Sequence, residues 1–436
     1  DKPLVNDTFR GLIRIRQHSF TQGNREKYNS YRNKVQRYAK SLRKKYYESK
    51  VADLRRDKPG NWWSRVKIIT GMSSSGSGSL SGLANRRCDG DIKRLANEIN
   101  ESFQKVSSDL QPLSPEILGL IPPEQSDVAP ITIGREQVER RLMTTSLVKA
   151  TGPDGIPNWI FHDLAPYVSY PVTIIFNTSI AEGVVPGIWK QSNVVPIPKS
   201  NPPKTIENDL RPISLTPTLA KHLEWFICQW LLSAVTNKLD AQQFGALRGR
   251  STTHALVDII HKWSAALDAG SSVRAVFVDY AKAFDHVDHS ILLTKLISLG
   301  IPAYIIRWIY SFLAERQQRV KIEDGFSEWE TLKGGMPQGT RLGPLTFVIL
   351  IDGLRLDCLV HKFIDDTTAS EILGRQQSSN MMNITRQLMD WTKSNNMIIN
   401  SKKTKEIILG TLSKSPPPIL MMDGASIERH HSSFSV

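Results

Sequence analysis

The pattern of apolar and polar positions along the chain predicts both strands and helices. Residues 273–278 form a short, mostly apolar run with several β-branched side chains that ends abruptly at Asp279, which favours a buried strand over a helix. Residues 24–56 instead carry apolar and aromatic side chains at three- and four-residue steps, which is typical of one face of an amphipathic helix. The positions on that face are Tyr28, Tyr31, Val35, Tyr38, Leu42 and Tyr46.

Shorter segments between these two complete the picture of a mixed fold. Residues 194–199 and 210–215 read as two strands joined by a polar loop, and their prolines restrict them to sheet edges or irregular pairing. Residues 319–322 and 328–332 predict a second hairpin. Residues 71–82 are rich in Ser and Gly and predict a flexible linker, whereas residues 111–130 contain five prolines and predict an irregular connector.

The positive charge of the chain is concentrated near its N-terminus. The 436 residues include 56 Lys and Arg and 42 Asp and Glu, a formal net charge of +14. Residues 1–70 alone hold 19 Lys and Arg against 6 Asp and Glu, a local net charge of +13. A basic helical arm of this kind is attracted to a polyanion such as a nucleic acid. The alternative is a solvated helix that docks on the rest of the protein through its tyrosines.

Composition also excludes several classes of protein. No apolar run reaches the ~18–20 residues of a transmembrane helix, and no signal-peptide pattern is present. The three cysteines (Cys88, Cys228 and Cys358) contain no CxxC pair, so neither a disulfide framework nor a zinc knuckle is expected. We therefore expect a reduced, intracellular protein without a membrane partner. The ten histidines form no metal-like set, and we expect His286 and His289 at the surface.

Two predicted strands end in carboxylates. Asp279 follows the run at 273–278, and Asp365 and Asp366 lie at the turn of a predicted hairpin after residues 358–364. A carboxylate at the end of a buried strand costs free energy unless it is paired or bound to a metal. If the two ends converge, they form an oxygen-only site that suits Mg²⁺ or Mn²⁺ better than Zn²⁺. For either motif alone, a helix cap at Asp279 or an ordinary Asp-Asp turn is the simpler reading.

Three motifs together resemble the core of reverse transcriptases of non-LTR (LINE-type) retrotransposons. They are FVDYAKAFD at residues 277–285, GGMPQGTRLGPLTF at 334–347 and FIDD at 363–366. The resemblance runs from about residue 62 to the C-terminus. It implies an α+β, right-hand polymerase fold: a basic arm (1–70), a linker and helical connector (71–130), fingers and the start of the palm (131–272), and an antiparallel palm sheet (273–436), with the thumb and the upstream endonuclease missing.

The resemblance also implies roles for individual residues. Asp279, Asp365 and Asp366 would bind two Mg²⁺ or Mn²⁺ ions, with a backbone carbonyl of residue 278 or 280 as a further ligand, and Lys403 would protonate the departing pyrophosphate. The remaining substrate residues would be Lys199 and Arg211 at the triphosphate, Phe284 beneath the sugar, and Gln338 and Gly339 at the nascent base pair. Tyr280 is also expected to bind the substrate. Arg248 and Arg250, in a glycine-containing loop, would contact the phosphate backbone of the template. For Lys403, Phe284 and the arginines, an ordinary surface or packing role is the alternative from sequence alone.

The implied partners are an RNA template, a DNA primer and dNTPs, with action in the nucleus. Ile364 stands where the family usually has a small residue or valine. The main alternative is a catalytically inactive retrotransposon remnant that binds RNA or DNA through its basic arm. The presence of all three aspartates argues against decay by substitution. A two-metal nuclease or transposase would leave the PQG motif and the basic hairpin without a purpose.

Overall fold

The computed structural model describes residues 6–54, 77–123, 130–200 and 202–430, which divide into two units, 1–78 and 79–436. The first unit is a helical hairpin of α1 (Asp7–Thr21) and α2 (Arg25–Leu54). The Asn6 side chain caps α1 by accepting from the backbone N–H of Phe9. Phe9 stacks on Tyr38 with ring centroids 6.2 Å apart, so the predicted aromatic stripe of α2 contacts α1. The predicted long helix is confirmed.

A helix replaces part of the predicted Ser/Gly linker. The linker prediction for residues 71–82 is wrong from residue 77 onward, where α3 (Ser77–Arg87) begins; residues 71–76 lie outside the described part. Leu80 and Leu83 are buried in a small apolar core with residues of α4 (Ile92–Gln104) and with Val320. The burial of these few apolar side chains stabilises a helix that the Ser/Gly composition disfavours.

Of the two main sheets, the one with fewer residues in its strands, the smaller sheet, contains the predicted proline-rich hairpin. β1 (Gln191–Pro198) pairs antiparallel with β2 (Leu210–Leu215), which confirms that prediction. On its other side β1 pairs in parallel with β4 (Gln317–Ile322), but only over residues 191–194. Pro196 and Pro198 lie beyond this parallel stretch, so their missing N–H groups cost no sheet hydrogen bond there. The short strands β5 (Gly325–Phe326) and β6 (Glu330–Thr331) pair with β4.

The larger sheet is built around the predicted strand at 273–278. The central strand is β3 (Ser272–Val278), and the order across the sheet is β12-β9-β3-β8-β7. The other strands are β7 (Leu359–Phe363), β8 (Asp366–Leu373), β9 (Lys405–Leu409) and β12 (Glu428–His430). All neighbours are antiparallel except β9 and β12. A further two-stranded ribbon joins β10 (Met421–Met422) and β11 (Ala425–Ser426).

A buried ion-pair network crosses this sheet. Arg274 Nε donates to Glu406 Oε1 at 2.6 Å, and Arg429 Nε donates to the other oxygen of Glu406, also at 2.6 Å. Arg274 and Glu406 are 1% and 0% exposed, so neither charge can be satisfied by solvent. Since an unpaired charge at this depth is costly, the network favours one register of β3, β9 and β12 over its alternatives.

Ten further α-helices follow α4 in the described part of the chain, and all but two of them, α8 and α10, contribute buried apolar side chains to the main core. They are α5 (Arg135–Leu142), α6 (Asn158–Asp163), α7 (Ala165–Glu182), α8 (Ile206–Asp209), α9 (Thr218–Val235), α10 (Thr252–Asp268), α11 (His289–Ser298), α12 (Ala303–Leu313), α13 (Leu342–Ile351) and α14 (Met381–Ser394). α13 is apolar on all sides and packs against α9 and α11. No helix in the described ranges is long and apolar enough to span a bilayer.

The prediction that His286 and His289 are surface residues is wrong. His286 ends a short 3₁₀ helix (Ala283–His286) and His289 begins α11, and both are buried. His289 Nε2 lies 2.8 Å from the carbonyl oxygen of Gly335, and burial lowers the pKa of its imidazole. The polar neighbours in the sequence suggested exposure, but the loop before α13 folds over this helix start.

Candidate active site

The two predicted acidic strand ends lie at one edge of the larger sheet. Val278, the last residue of β3, pairs with Thr367 near the start of β8, so Asp279 and Asp366 extend from neighbouring strands. Asp365 occupies the turn between β7 and β8. A cavity of about 650 Å³ opens at this edge. Among the residues that line it are Lys199, Arg211, Asp279, Tyr280, Phe284, Gln338, Gly339, Asp365 and Lys403.

The carboxylates influence one another's ionisation. Burial, followed by the charges of Asp366 and Asp279, raises the pKa of Asp365. Burial and then the charge of Asp279 raise the pKa of Asp366. The folded protein therefore resists placing three negative charges at this edge, which is the electrostatic signature of a site that a cation would complete.

The donor chemistry of this edge suits a hard divalent cation, because all three side chains offer carboxylate oxygens. Among the described residues, however, no group of three or more His, Cys, Asp or Glu side chains is arranged to hold a metal ion. The structure thus brings the acidic residues to one edge without forming a closed set of ligands. Asp279 is still half-exposed, and one of its oxygens faces Lys403.

A loop after α14 surrounds Asp279. The backbone N–H of Asn400 donates to the carbonyl oxygen of Asp279 at 2.7 Å, and Thr404 Oγ1 accepts from the N–H of Asp279 at 3.2 Å. Lys403 Nζ lies 3.8 Å from Asp279 Oδ2 and remains largely exposed. The loop therefore fixes the backbone at the end of β3 and brings Lys403 to the cavity. Thr404 was not singled out from the sequence.

Several basic side chains also line the cavity and form its basic wall. Burial, then the charges of Lys403, Arg211 and Lys282, lower the pKa of Lys199. Lys199 Nζ donates to the carbonyl oxygen of Asn208 at 2.7 Å, which orients the ammonium group. Lys282 also lines the cavity and has a left-handed backbone with φ of +48°, a feature that sequence reasoning missed. This cluster of positive charge suits a polyanionic ligand.

Phe284 and Tyr280 line the cavity in different ways. The ring of Phe284 packs on Phe347 with centroids 5.2 Å apart, and its edge lies over Gly343. Tyr280 is buried, and its phenol is enclosed near Thr367, where burial raises its pKa. Any contact of Tyr280 with a ligand would therefore come from its backbone.

The PQG motif connects β2 with the short 3₁₀ helix Ala283–His286 that follows β3. Gln338 Nε2 donates to both oxygens of Asp285, at 3.2 and 3.4 Å, and the carbonyl oxygen of Gln338 accepts from the N–H of Ser214 at 2.7 Å. Gly339 has φ of +129°, and a Cβ at this position would lie 2.7 Å from the carbonyl oxygen of Ser214. The glycine therefore allows a close approach to the backbone of β2. Asp285, which is half-buried, was not identified as a partner of Gln338 from the sequence.

Arg248 and Arg250 are not among the residues that line the cavity. Arg248 donates to the side chain of Gln229. Arg250 Nη1 donates to the carbonyl oxygens of Ala241, at 2.7 Å, and Gln243. In this structure both guanidinium groups make contacts within the protein, and Arg250 holds the loop that carries it.

Comparison with known proteins identifies relatives of this chain. A family model described as reverse transcriptase (RNA-dependent DNA polymerase) matches residues 197–424. The chain is 27% identical, over 69% of its length, to the RNA-directed DNA polymerase from mobile element jockey of Drosophila melanogaster, and covers 34% of that protein. It is 26% identical, over 65% of its length, to the probable RNA-directed DNA polymerase from transposon X-element of the same organism, and covers 32% of it. The chain thus spans about a third of the length of these curated relatives.

Proposed function

The chain belongs to the reverse transcriptase family of non-LTR retrotransposons, and we propose that it carries out RNA-directed DNA synthesis at the cavity between its two sheets. The observation that carries this proposal is the position of Asp279, Asp365 and Asp366 at one sheet edge, where Asp279 and Asp365 line the same cavity as the basic side chains. In this reaction the primer 3′-hydroxyl oxygen attacks the α-phosphorus of a dNTP. The bond to the β-phosphate breaks, the hydroxyl loses its proton and pyrophosphate departs.

The three aspartates would hold divalent ions, Mg²⁺ or Mn²⁺, and we propose two of them. When bound, such ions activate the attacking hydroxyl and offset charge on the phosphates. The protein's contribution is to fix the carboxylates: the sheet pairing of β3 with β8 sets the spacing of the two strand ends, and the loop at residues 400–404 holds the backbone of Asp279. Oxygen ligands on rigid strands are what such a site requires.

The basic wall would bind the triphosphate. We assign Lys199 and Arg211 to the phosphates and add Lys282, because all three line the cavity and their charges repel one another in the absence of an anion. Fixed cations of this kind stabilise the charge that develops on the phosphates. Lys403, whose Nζ lies 3.8 Å from Asp279 Oδ2, would protonate the pyrophosphate as it leaves.

The sugar and base of the incoming nucleotide would be selected by four residues that line the cavity: Phe284, Gln338, Gly339 and Tyr280. The ring of Phe284 packs on Phe347, so it cannot easily move aside for the 2′-hydroxyl of a ribonucleotide. Gln338 is oriented by Asp285: because its amide nitrogen donates to a carboxylate, its amide oxygen is left to accept from a ligand. Gly339 and the backbone of Tyr280 would lie close to the nascent base pair.

The finer anatomy follows from the same proposal. Residues 131–272 would form the fingers and the start of the palm, and residues 273–436 the palm, whose antiparallel sheet carries the aspartates. The basic helices of residues 1–70 would contact the RNA template or the DNA primer by charge. A nuclear site of action follows from the same proposal.

The proposal is tested by primer extension on an RNA template with Asp365→Asn. This change keeps the shape of the side chain but removes its charge, so Mg²⁺-dependent extension should fall to background while primer–template binding is retained. Asp390→Asn, at an exposed position of α14, is the matched control and should extend normally. Extension by Asp365→Asn at the control rate would refute the metal assignment. Nucleic-acid binding without extension by the unmodified chain would favour the inactive remnant.

A further inference from the structure

The turn that carries Asp365 has an unusual backbone. Ile364, between β7 and Asp365, has φ of +57°. Left-handed backbone is rare for residues other than glycine, and for a β-branched residue it is a genuine outlier. Such a conformation persists only when the surrounding structure holds it in place.

The contacts come from the loop that follows α9. The side-chain oxygen of Gln243 accepts from the N–H of Ile364 at 3.1 Å and from the N–H of Gly245 at 2.8 Å. Gln243 is only 1% exposed, so solvent does not compete for this oxygen. The backbone of the same loop pairs with β7: Phe244 N–H donates to the carbonyl oxygen of Lys362 at 2.8 Å, and Lys362 N–H donates to that of Gln242 at 2.9 Å.

Gly245 lets the loop lie directly on the turn. A Cβ at this position would come within 2.5 Å of both the backbone nitrogen and Cγ1 of Ile364. Arg250 braces the loop from the other side by donating to the carbonyl oxygens of Ala241 and Gln243. The segment Gln243–Gly245 is therefore built around the turn, and the side-chain oxygen of its glutamine accepts the hydrogen bond that joins the loop to Ile364.

We propose that Gln243 is a positioning residue that holds Ile364 in its left-handed conformation and so fixes the direction in which Asp365 enters the cavity. The proposal rests on the function assigned above, because it matters only if Asp365 binds the catalytic ions. Without the glutamine oxygen, the turn relaxes toward ordinary backbone angles and the Asp365 carboxylate moves away from Asp279. Gln243 itself is not among the residues that line the cavity.

The test uses Gln243→Met, which keeps the volume of the side chain and removes the acceptor. We expect kcat for primer extension to fall roughly 10- to 100-fold, as for a small misplacement of a reacting group. The KM for dNTP and the Kd for primer–template should stay within about twofold of the unmodified chain, since neither ligand contacts Gln243. The Mg²⁺ concentration that half-saturates thermal stabilisation of the protein without nucleic acid should rise, a readout independent of turnover.

A second substitution distinguishes a positioning role of Gln243 from a general loss of stability. Gly adopts positive φ freely, so Ile364→Gly in the Gln243→Met background should recover several-fold in kcat, because the turn no longer needs the hydrogen bond. Asn177→Ala is the matched control: its side chain also bonds backbone groups, the N–H and carbonyl of Ile133, and is remote in sequence from the turn. It should lower the melting temperature and leave the Mg²⁺ midpoint unchanged.

The outcomes are distinguishable from those of the main proposal. An unchanged kcat and Mg²⁺ midpoint in Gln243→Met, with Asp365→Asn inactive, would overturn the positioning role and leave the polymerase assignment intact. Failure of Ile364→Gly to restore kcat would also overturn it. If Gln243→Met does not fold, Gly245→Ala disturbs the same turn through its new Cβ and should show the same fall in kcat and the same rise in the Mg²⁺ midpoint; normal values there refute the proposal.

Discussion

The close approach of Gly339, in the PQG motif, to the backbone of β2 can be tested by mutation. The perturbation is Gly339→Ala, which adds one methyl group at a position where φ is +129° and where the new Cβ would lie 2.7 Å from the carbonyl oxygen of Ser214. Relief of the clash requires the PQG loop and β2 to separate. That movement strains the hydrogen bond from Ser214 N–H to the carbonyl oxygen of Gln338, now 2.7 Å long.

The expected loss of stability can be worked out from these contacts. A side chain held in a sparsely populated backbone region costs about 1–3 kcal/mol. Loss of the hydrogen bond from Ser214 N–H to the carbonyl oxygen of Gln338 adds about 1 kcal/mol to this cost, because the two groups lie between packed elements. Gly339→Ala should therefore lower the free energy of unfolding by about 2–4 kcal/mol. Since Gly339 and Gln338 line the cavity, the KM for dNTP should rise as well.

The assay is urea unfolding combined with steady-state primer extension. Gly187→Ala is the matched control, because a Cβ there meets no atom within 4 Å. It should change the free energy of unfolding by less than ~1 kcal/mol, as expected for an exposed substitution without special backbone geometry. If Gly339→Ala unfolds at the same urea concentration as Gly187→Ala and keeps the dNTP KM, the close approach of PQG to β2 is not what the glycine serves.

Two further variants test sugar selection by Phe284 and the pH-dependent stability that comes from buried His222. Phe284→Ala should raise the efficiency of ribonucleotide relative to deoxyribonucleotide incorporation, measured as a ratio of kcat/KM values; an unchanged ratio removes Phe284 from sugar selection. Burial, then the charge of Arg141, lowers the pKa of His222 from 6.5 to about 3, so between these values the unfolded chain binds a proton that the folded protein excludes. The free energy of unfolding therefore falls as the pH is lowered through 6.5, by about 2 kcal/mol between pH 7 and pH 5. His222→Gln should lose less over this range in urea titrations, and equal losses would contradict the assignment.

Local patterns in the sequence were sufficient to predict the elements that carry the chemistry. The apolar run ending at Asp279 became the central strand of the larger sheet, and Asp365 lies at a hairpin turn as predicted. Both predictions succeed because a buried strand needs consecutive apolar residues, and its end is marked by the first charge that must reach the surface. The resemblance carried by three motifs is confirmed by the family match over residues 197–424.

Burial that depends on distant residues was predicted poorly. His289 has polar neighbours in sequence, yet it is buried because Gly335 lies against it. Residues 77–87, which begin within the Ser/Gly segment, form a helix because Leu83 packs in a small core with α4 and Val320. In each case the partner is separated from the residue by many positions, so no local pattern records the contact.

By itself, the sequence determined which residues could do the chemistry: three carboxylates, a set of lysines and arginines, and a glycine-containing PQG loop. Only the tertiary structure decided which of them meet. It brought Lys282 to the basic wall, joined Asp285 to Gln338, bonded Arg250 to the backbone of its own loop, and placed Gln243 against the turn of Ile364. The reason is physical: the identity of a donor or acceptor is local, but the few ångströms that join it to its partner depend on the packing of whole strands and helices.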